Sequence, residues 1–270
     1  MQRAFAKTVL SDFFDRLSAA PASVLLLDYD GTLAPFQTER DRAYPYPKVV
    51  PILESIVKRG KTRVIIITGR PVVELKTLLG PLSNLEVWGS HGMERMLPDG
   101  SYGKISVDKE SSELLARAEE WVIAAGLASL AEIKPGGIAI HWRGMPEADR
   151  VRVEARTREG WTALAERPGL KLLEFEAGLE LRVVRPDKGD AVTAILENSD
   201  PKTLIAYLGD DLTDEDAFRV LSGRGLTVLV RPEYRETKAS VWLRPPHELI
   251  GFLEQWLSCS PASAPISRGF

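Results

Sequence analysis

Residues 24–35 read Val-Leu-Leu-Leu-Asp-Tyr-Asp-Gly-Thr-Leu-Ala-Pro. Four consecutive apolar residues predict a strand that is buried on both faces, as in a parallel sheet. The two-residue period of a strand directs the side chains of Asp28 and Asp30, at its end, to the same side. Gly31 and Thr32 then form a turn whose backbone N–H groups could face an anion. The stretch indicates phosphoryl transfer through an aspartate nucleophile, although Asp and Gly are also ordinary residues of surface turns.

The segments on either side of this stretch alternate between short apolar strands and amphipathic helices. The further predicted strands cover residues 63–67, 85–88, 203–208 and 226–230. The predicted helices cover residues 3–19, 47–58, 72–79, 190–197, 214–221 and 248–257. This alternation is typical of α/β proteins, so we expect a Rossmann-like doubly wound parallel sheet with helices on both faces.

The middle of the chain, residues 98–183, has a different pattern. Two predicted helices near residues 111–125 and 146–166 accompany several strand-like segments, which suggests an inserted α+β module. We therefore predict a catalytic core made of residues 1–97 and 184–258, with residues 98–183 as the inserted domain. The tail, residues 259–270, is rich in Ser and Pro, and we expect it to be disordered.

Composition excludes several classes of function. The 270 residues carry a net charge of −3, which gives no electrostatic basis for binding nucleic acid or an anionic membrane. The single cysteine, Cys259, rules out an intramolecular disulfide and a cysteine metal site. No apolar run approaches the roughly 20 residues that span a bilayer. We expect a cytoplasmic, monomeric protein.

Other polar motifs also follow predicted strands, where ligands of parallel sheets bind. Thr68-Gly69-Arg70 follows one strand, and Gly209-Asp210-Asp211-Leu212-Thr213-Asp214 follows another. Lys188 lies just before a predicted helix. Each feature alone has an ordinary explanation: Thr68 as a helix cap, Lys188 as a solvated lysine, and the acidic run as the charged start of a helix.

Taken together, these residues describe a site for phosphate-ester hydrolysis. Asp28 would attack phosphorus, and Asp30 would protonate the leaving alkoxide and then deprotonate water. Mg²⁺ would be held by Asp28, the Asp30 carbonyl and Asp210, with support from Asp211 or Asp214. The phosphate oxygens would bind Gly31, Thr32, Thr68, Gly69, Arg70 and Lys188, while no histidine or cysteine cluster favours zinc.

With this combination the chain resembles the haloacid dehalogenase superfamily. Its four motifs appear in order as Asp28-x-Asp30, Thr68, Lys188 and Gly209-Asp210-Asp211-x-x-Asp214. The resemblance implies that the inserted domain is a C2-type cap. The second aspartate, Asp30, is the residue that the phosphatases of the superfamily carry as acid and base.

In finer detail the chain resembles the trehalose-6-phosphate phosphatases. The motifs are residues 28–35, Gly89-Ser90-His91-Gly92-Met93-Glu94, Glu132-x-Lys134 leading to His141-x-Arg143, and Gly178-Leu179-Glu180. The resemblance implies sugar binding by Glu94, Glu132, Lys134, His141, Arg143 and Glu180. The alternative is that the residues of the insertion form a cross-strand surface network. His91 is not assigned to the catalytic set.

The resulting hypothesis is a Mg²⁺-dependent phosphoric monoester hydrolase that converts trehalose 6-phosphate to trehalose and phosphate through an aspartyl phosphate. One alternative keeps the chemistry but changes the substrate to another sugar phosphate, such as a glucosylglycerol phosphate. A second alternative is a non-catalytic sensor of a sugar phosphate, which would be expected to lack Asp28, Asp30 or Lys188.

Overall fold

A computed structural model describes residues 2–260 apart from residues 38, 83 and 176. The helices are α1 (Gln2–Ala19), α2 (Val49–Lys58), α3 (Val72–Leu79), α4 (Lys109–Ala124), α5 (Glu147–Ala165), α6 (Lys188–Glu197), α7 (Glu215–Leu221) and α8 (His247–Cys259). The strands are β1 (Ser23–Leu27), β2 (Thr62–Ile67), β3 (Glu86–Gly89), β4 (Glu94–Met96), β5 (Tyr102–Lys104), β6 (Ala131–Lys134), β7 (Gly137–His141), β8 (Leu170–Phe175), β9 (Gly178–Val183), β10 (Leu204–Gly209), β11 (Leu226–Val230) and β12 (Val241–Leu243).

Eight of the described strands form a large sheet with the order β12-β11-β10-β1-β2-β3-β4-β5. The run from β12 to β3 is parallel, and β4 and β5 extend it as antiparallel strands. β1 lies between β10 and β2, so residues that follow β1 come close to residues that follow its two neighbours. The predicted doubly wound α/β fold is confirmed.

The apolar run of β1 is explained by its burial on both faces. Leu25 and Leu27 pack into the core beneath α1, α2, α3 and α8, whereas Val24 and Leu26 pack into a second core beneath α6 and α7. Successive side chains of a strand point to opposite faces, so a strand covered on both sides needs apolar residues at every position.

The remaining strands form a small antiparallel sheet with the order β6-β7-β9-β8. Helices α4 and α5 cover it, and Trp142 and Trp161 lie in the core between them. Asp108 caps α4 by accepting a hydrogen bond from the backbone of Ser111. We call residues 105–183, which contain this sheet and its helices, the insertion.

The structure differs from the predicted start of the inserted domain at residue 98. The turn near Asp99 and Gly100 joins β4 to β5, and β5 still belongs to the large sheet. A hairpin turn looks the same in sequence whether it begins a new unit or extends an existing sheet. The second sheet therefore begins only after Lys104.

The tail predicted to be disordered, residues 259–270, has two described residues, and both are ordered. Cys259 ends α8, and Ser260 is buried because its carbonyl accepts a hydrogen bond of 2.7 Å from the Arg59 guanidinium. Residues 261–270 lie outside the described residues. Within the described ranges, no helix has the length and apolar composition of a membrane-spanning segment.

Candidate active site

Three aspartates and one lysine meet where β1 and β10 end. We call Asp28, Asp210, Asp214 and Lys188 the carboxylate cluster. Lys188 Nζ donates to Asp28 Oδ1 at 2.7 Å and to Asp214 Oδ1 at 2.6 Å. All four side chains are buried, so the lysine lies between charges that water screens little.

Two glycines lie so close to aspartate side chains of the cluster that neither position has room for a Cβ atom. A Cβ on Gly31, which has a φ of +79°, would lie 2.1 Å from Asp210 Oδ2. A Cβ on Gly209 would lie 2.4 Å from Asp214 Cγ. Glycine at both positions lets the carboxylates pack against main chain, which no other residue would permit.

Asp214 acts as the support of the cluster. Its carboxylate accepts hydrogen bonds from Lys188, the Tyr207 hydroxyl and the backbone N–H groups of Asp210 and Asp211. Asp211 is half-buried and caps the following turn through the N–H of Leu212. Both lie at the predicted metal site, where Asp214 already accepts hydrogen bonds at both of its oxygens and Asp211 accepts one at Oδ1.

Asp210 differs because Oδ2 is buried and has no hydrogen-bond partner among the described residues. Burial and the charges of Asp28 and Asp214 raise the pKa of Asp210 well above its ordinary value. Burial also raises the pKa of Asp28 to about 7, although Lys188 opposes the shift. Both shifts have burial as their largest cause, to which the neighbouring carboxylates add.

The cluster fits a divalent cation. Oxygen atoms of Asp28, Asp210 and Asp214 lie within 4.8 Å of one another, and the unpartnered Asp210 Oδ2 is a free hard-oxygen ligand. With all three carboxylates ionised and Lys188 charged, the cluster has a formal charge of −2. An oxygen-binding cation such as Mg²⁺ would neutralise that charge.

Asp30 lies beside the cluster at the edge of the cleft between the two sheets. The Arg70 guanidinium donates to both of its oxygens, from Nε and Nη2, at 2.6 Å each. Arg70, predicted to bind phosphate, therefore holds the predicted acid and base. Its side chain is only 3% exposed, so the pair is rigid on the Arg70 side.

The predicted phosphate-binding residues divide into two groups. Thr68, Gly69 and Lys188 line the cleft with Asp28. The N–H of Gly31 instead donates to the carbonyl of Ala34. The Thr32 hydroxyl is fully buried. Neither Gly31 nor Thr32 is among the residues that line the cleft, and the buried Thr32 hydroxyl has no hydrogen-bond partner among the described residues, so their phosphate contact stays a prediction.

The opposite wall of the cleft is formed by the small sheet. We call Glu132, Lys134, His141 and Glu180 the insertion cluster, and all four line the cleft. Lys134 Nζ contacts Glu180 Oε1 at 2.8 Å, and His141 Nε2 lies 2.8 Å from Glu132 Oε2. Burial raises the pKa of Glu132, but the His141 hydrogen bond and the charges of Lys134 and Arg40 outweigh it and lower the pKa to about 2.

Arg143 also lines the cleft and reaches across it. Its Nη1 donates to the carbonyl of Gln37 at 2.8 Å, and its guanidinium lies 4.7 Å from the centre of the Phe36 ring. Glu94, in contrast, lies on β4 away from the cleft lining. Its carboxylate accepts hydrogen bonds from Ser90, Tyr102 and the Val72 backbone, which hold it at the sheet edge, and its contact with the sugar stays a prediction.

Apart from His91, sequence reasoning gave no role to four residues of the cleft: Phe36, Arg40, Phe175 and Thr213. Phe36 and Arg40 lie in a loop without periodic pattern, so no sequence signal singled them out. His91 was noted in its motif but given no role. It lines the cleft and lies 3.3 Å from Glu180, and burial and the charge of Arg182 lower its pKa to about 3.

The fold and the strand-end carboxylates define the class of protein. A haloacid dehalogenase-like hydrolase from B. subtilis superposes with a TM-score of 0.60 over 86% of this chain and 99% of its own, at 16% identity. The C-terminal domain of C. albicans trehalose-6-phosphate phosphatase superposes with a TM-score of 0.79 over 92% of this chain and 96% of its own, at 21% identity. The chain therefore has the fold of the haloacid dehalogenase-like hydrolases.

Sequence similarity narrows the class to one family. The trehalose-phosphatase family model matches residues 26–243. A probable trehalose-phosphate phosphatase 9 of Oryza sativa subsp. japonica is 31% identical over 288 aligned positions, covering 92% of this chain and 74% of the rice protein. The chain belongs to the trehalose-phosphatase family.

Proposed function

We propose that this protein hydrolyses trehalose 6-phosphate to trehalose and inorganic phosphate through an aspartyl phosphate on Asp28. The observation that carries the proposal is a single cleft with two unlike walls. One wall has the carboxylate cluster and Asp30, and the other has the charged side chains of the insertion cluster. A phosphate ester of a polyhydroxylated molecule fits both walls at once.

The reaction begins at the carboxylate of Asp28. One of its oxygens forms a bond to phosphorus while the bond from phosphorus to the sugar oxygen breaks. Asp30 gives its proton to that sugar oxygen, so the sugar leaves as a neutral alcohol. Lys188, held 2.7 Å from Asp28 Oδ1, orients the nucleophile and offers a positive charge to the phosphate oxygens.

The second step returns the enzyme to its starting state. Asp30 removes a proton from water, the water oxygen bonds to phosphorus, and the bond between Asp28 and phosphorus breaks. Thr68 lies beside the reacting group, and its Oγ1 accepts the backbone N–H of Arg70, which leaves the hydroxyl proton for a phosphate oxygen. Each residue thus acts in both steps from one position.

The proposed cation is Mg²⁺, which Asp28, Asp210 and the Asp30 carbonyl would hold with support from Asp211 or Asp214. Bound there, the cation would offset the charge of the phosphate and of the carboxylates. The unpartnered buried oxygen of Asp210 supports this assignment.

The insertion is proposed to act as the cap that recognises the sugar. Glu132, Lys134, His141 and Glu180 offer acceptors and donors to hydroxyl groups, and Arg143 closes one side of the cleft. A site built from such buried polar groups disfavours any phosphate ester that leaves them unpaired. The phosphoryl chemistry alone would not distinguish one sugar phosphate from another.

The test is phosphate release from a panel of esters with Mg²⁺ or with a chelator. The panel contains trehalose 6-phosphate, glucose 6-phosphate, sucrose 6-phosphate and glucosylglycerol phosphate. We expect Mg²⁺-dependent preference for trehalose 6-phosphate. Preference for another ester would overturn the substrate but keep the reaction, and binding without turnover would overturn the reaction.

A further inference from the structure

Arg40 lies between the two walls of the cleft and contacts both. Its guanidinium forms an ion pair with Glu132 of the insertion and another, at 3.3 Å, with Glu74 on α3. Its main-chain carbonyl accepts a hydrogen bond of 2.9 Å from Arg70 Nη1. Arg40 therefore contacts the insertion through its side chain and contacts Arg70, which holds Asp30, through its backbone carbonyl.

These contacts form a continuous chain of alternating charge. Asp30 binds Arg70, Arg70 contacts Glu74 at 3.4 Å, Glu74 binds Arg40, and Arg40 binds Glu132. We call these five residues the Asp30–Glu132 chain. Its ends are the proposed acid and base of the reaction and a proposed sugar-binding carboxylate of the cap.

The loop that carries Arg40 has little structure of its own. It contains one short 3-10 turn, Arg40–Arg42, that buries no side chain. Arg143 of the insertion holds the same loop at Gln37 and Phe36. Contacts with the insertion therefore help to determine where this loop, and with it the Arg40 carbonyl, lies relative to Arg70.

Arg70 is sensitive to that position because its guanidinium is a rigid planar fork. Two of its nitrogens, Nε and Nη2, bind Asp30, and the third contacts the Arg40 carbonyl and Glu74. A shift of the Arg40 carbonyl would tilt the fork and move the Asp30 oxygens. Displacement of a catalytic group by about 1 Å is enough to slow a reaction markedly.

We propose that Arg40 is a positioning residue that couples the placement of the cap to the orientation of Asp30. When Glu132 pairs with Arg40, the Asp30–Glu132 chain holds Asp30 in the orientation that proton transfer needs. When that ion pair is lost, Asp30 is misplaced. The inference rests on the proposed phosphatase reaction. It adds that the cap acts on the chemistry itself in addition to binding the sugar.

The experiment uses 4-nitrophenyl phosphate, which has no sugar and whose leaving group departs without a proton. Misplaced Asp30 should therefore leave the first step intact and slow the second, which requires removal of a proton from water. For Arg40→Met we expect a burst of 4-nitrophenol near one equivalent, larger than in the wild type, and steady turnover lower by about 10-fold or more. The KM for trehalose 6-phosphate should change less than its kcat.

The matched control is Arg42→Met, two residues away in the same turn, where the arginine is exposed and pairs only with Glu39 among the described residues. It should behave as the wild type. Arg40→Lys keeps a charge near Glu132 and should restore part of the turnover. If Arg40→Met does not fold, the lysine variant and the next measurement decide the matter.

Glu132→Gln provides that measurement, because 4-nitrophenyl phosphate makes no sugar contact. We expect the same burst as in Arg40→Met, and the double variant should be no slower than Arg40→Met alone. Unchanged turnover of 4-nitrophenyl phosphate in Glu132→Gln would overturn the coupling, as would a change of KM alone in Arg40→Met. Should the wild type hydrolyse 4-nitrophenyl phosphate but not trehalose 6-phosphate, the proposed substrate fails while this test remains decisive.

Discussion

The carboxylate cluster and the insertion cluster face the same cleft, yet their charges are arranged in opposite ways. In the carboxylate cluster one lysine lies among three aspartates, and a buried oxygen of Asp210 lacks a partner among the described residues. In the insertion cluster Glu180 pairs with Lys134, and Glu132 pairs with Arg40, which lies outside the cluster. The first site has an excess of negative charge, and the second is balanced.

This difference shows what each wall can bind. Burial and the neighbouring carboxylates raise the pKa of Asp28 and Asp210, so this excess of negative charge is stable only with a bound cation or a shared proton. A balanced set of donors and acceptors has no such need and suits a neutral molecule with many hydroxyl groups. We therefore expect the first wall to serve the proposed phosphoryl chemistry and the second wall to serve the proposed sugar recognition.

The largest expected effect follows removal of the nucleophile. Asp28→Asn should lower turnover of trehalose 6-phosphate by at least about 10⁴-fold, because the variant lacks the proposed nucleophile. Phosphate release measures it, with Asp12→Asn on the exposed face of α1 as control. Residual turnover within about 10-fold of the wild type would place the nucleophile elsewhere.

The excess negative charge of the carboxylate cluster is tested by comparing the free energy of unfolding with and without Mg²⁺. Mg²⁺ at 100 times its dissociation constant should stabilise the wild type by about 2.7 kcal/mol. Asp210→Asn should lose this gain, while its metal-free form should be at least as stable as the wild type because repulsion with Asp28 and Asp214 is relieved. Thermal unfolding gives both values. Asp216→Asn, at a surface pair with Arg219, should keep the full response to Mg²⁺.

Sugar recognition by the balanced wall is tested with Lys134→Met. Loss of the ammonium should raise the KM for trehalose 6-phosphate about 10- to 100-fold, since a hydrogen bond to a charged group contributes about that much. Turnover of 4-nitrophenyl phosphate should be unchanged. Glu94→Gln serves as the comparison: a KM increase equal to that of Lys134→Met would restore Glu94 to the sugar site.

The smallest effect concerns His91, which joins the catalytic loop to the insertion. The backbone N–H of His91 donates to the Thr68 carbonyl, and the imidazole ring lies 3.3 Å from Glu180. Burial lowers the pKa of His91 to about 3. Between pH 6.5, the ordinary histidine pKa, and about pH 3, the unfolded chain binds a proton that folded His91 does not. Its contribution therefore makes the protein less stable as pH falls, by up to about 1.4 kcal/mol per pH unit.

His91→Gln should remove this part of the acid-side slope. Urea unfolding at pH 7.5 and pH 5 measures it, with the remaining decline assigned to other groups. An identical slope in the variant and the wild type would show that His91 titrates normally in the folded protein.

Much of the fold could be predicted because its signals are local. The apolar run of β1 required burial on both faces, and the alternation of strands and helices required a parallel sheet. The antiparallel edge formed by β4 and β5 could not be assigned in this way. Short hairpins have the same turn residues in either sheet, and only their pairing partner distinguishes them.

The candidate site, too, could be predicted where its residues belong to local motifs at strand ends, and not where their position depends on strand pairing. Asp28, Asp30, Thr68, Lys188 and Asp210 lie where short motifs end strands or begin a helix, so their convergence in the cleft followed from the sheet. Glu94 had an equally clear motif but lies outside the cleft lining. Its place depends on how β4 pairs with its neighbours, which the motif itself does not encode.

The sequence by itself determined the chemistry, because strand period and motif spacing place the reacting carboxylates within a few residues of a strand end. Only the tertiary structure decided how the two walls meet. Asp30 and Arg70 are 40 residues apart, and Arg143 and Gln37 are 106 apart. The first contact forms because β1 and β2 are neighbours in the large sheet, and the second forms only when the insertion packs against the loop that carries Gln37 and Arg40. Such an irregular loop has no periodicity from which that packing could be inferred.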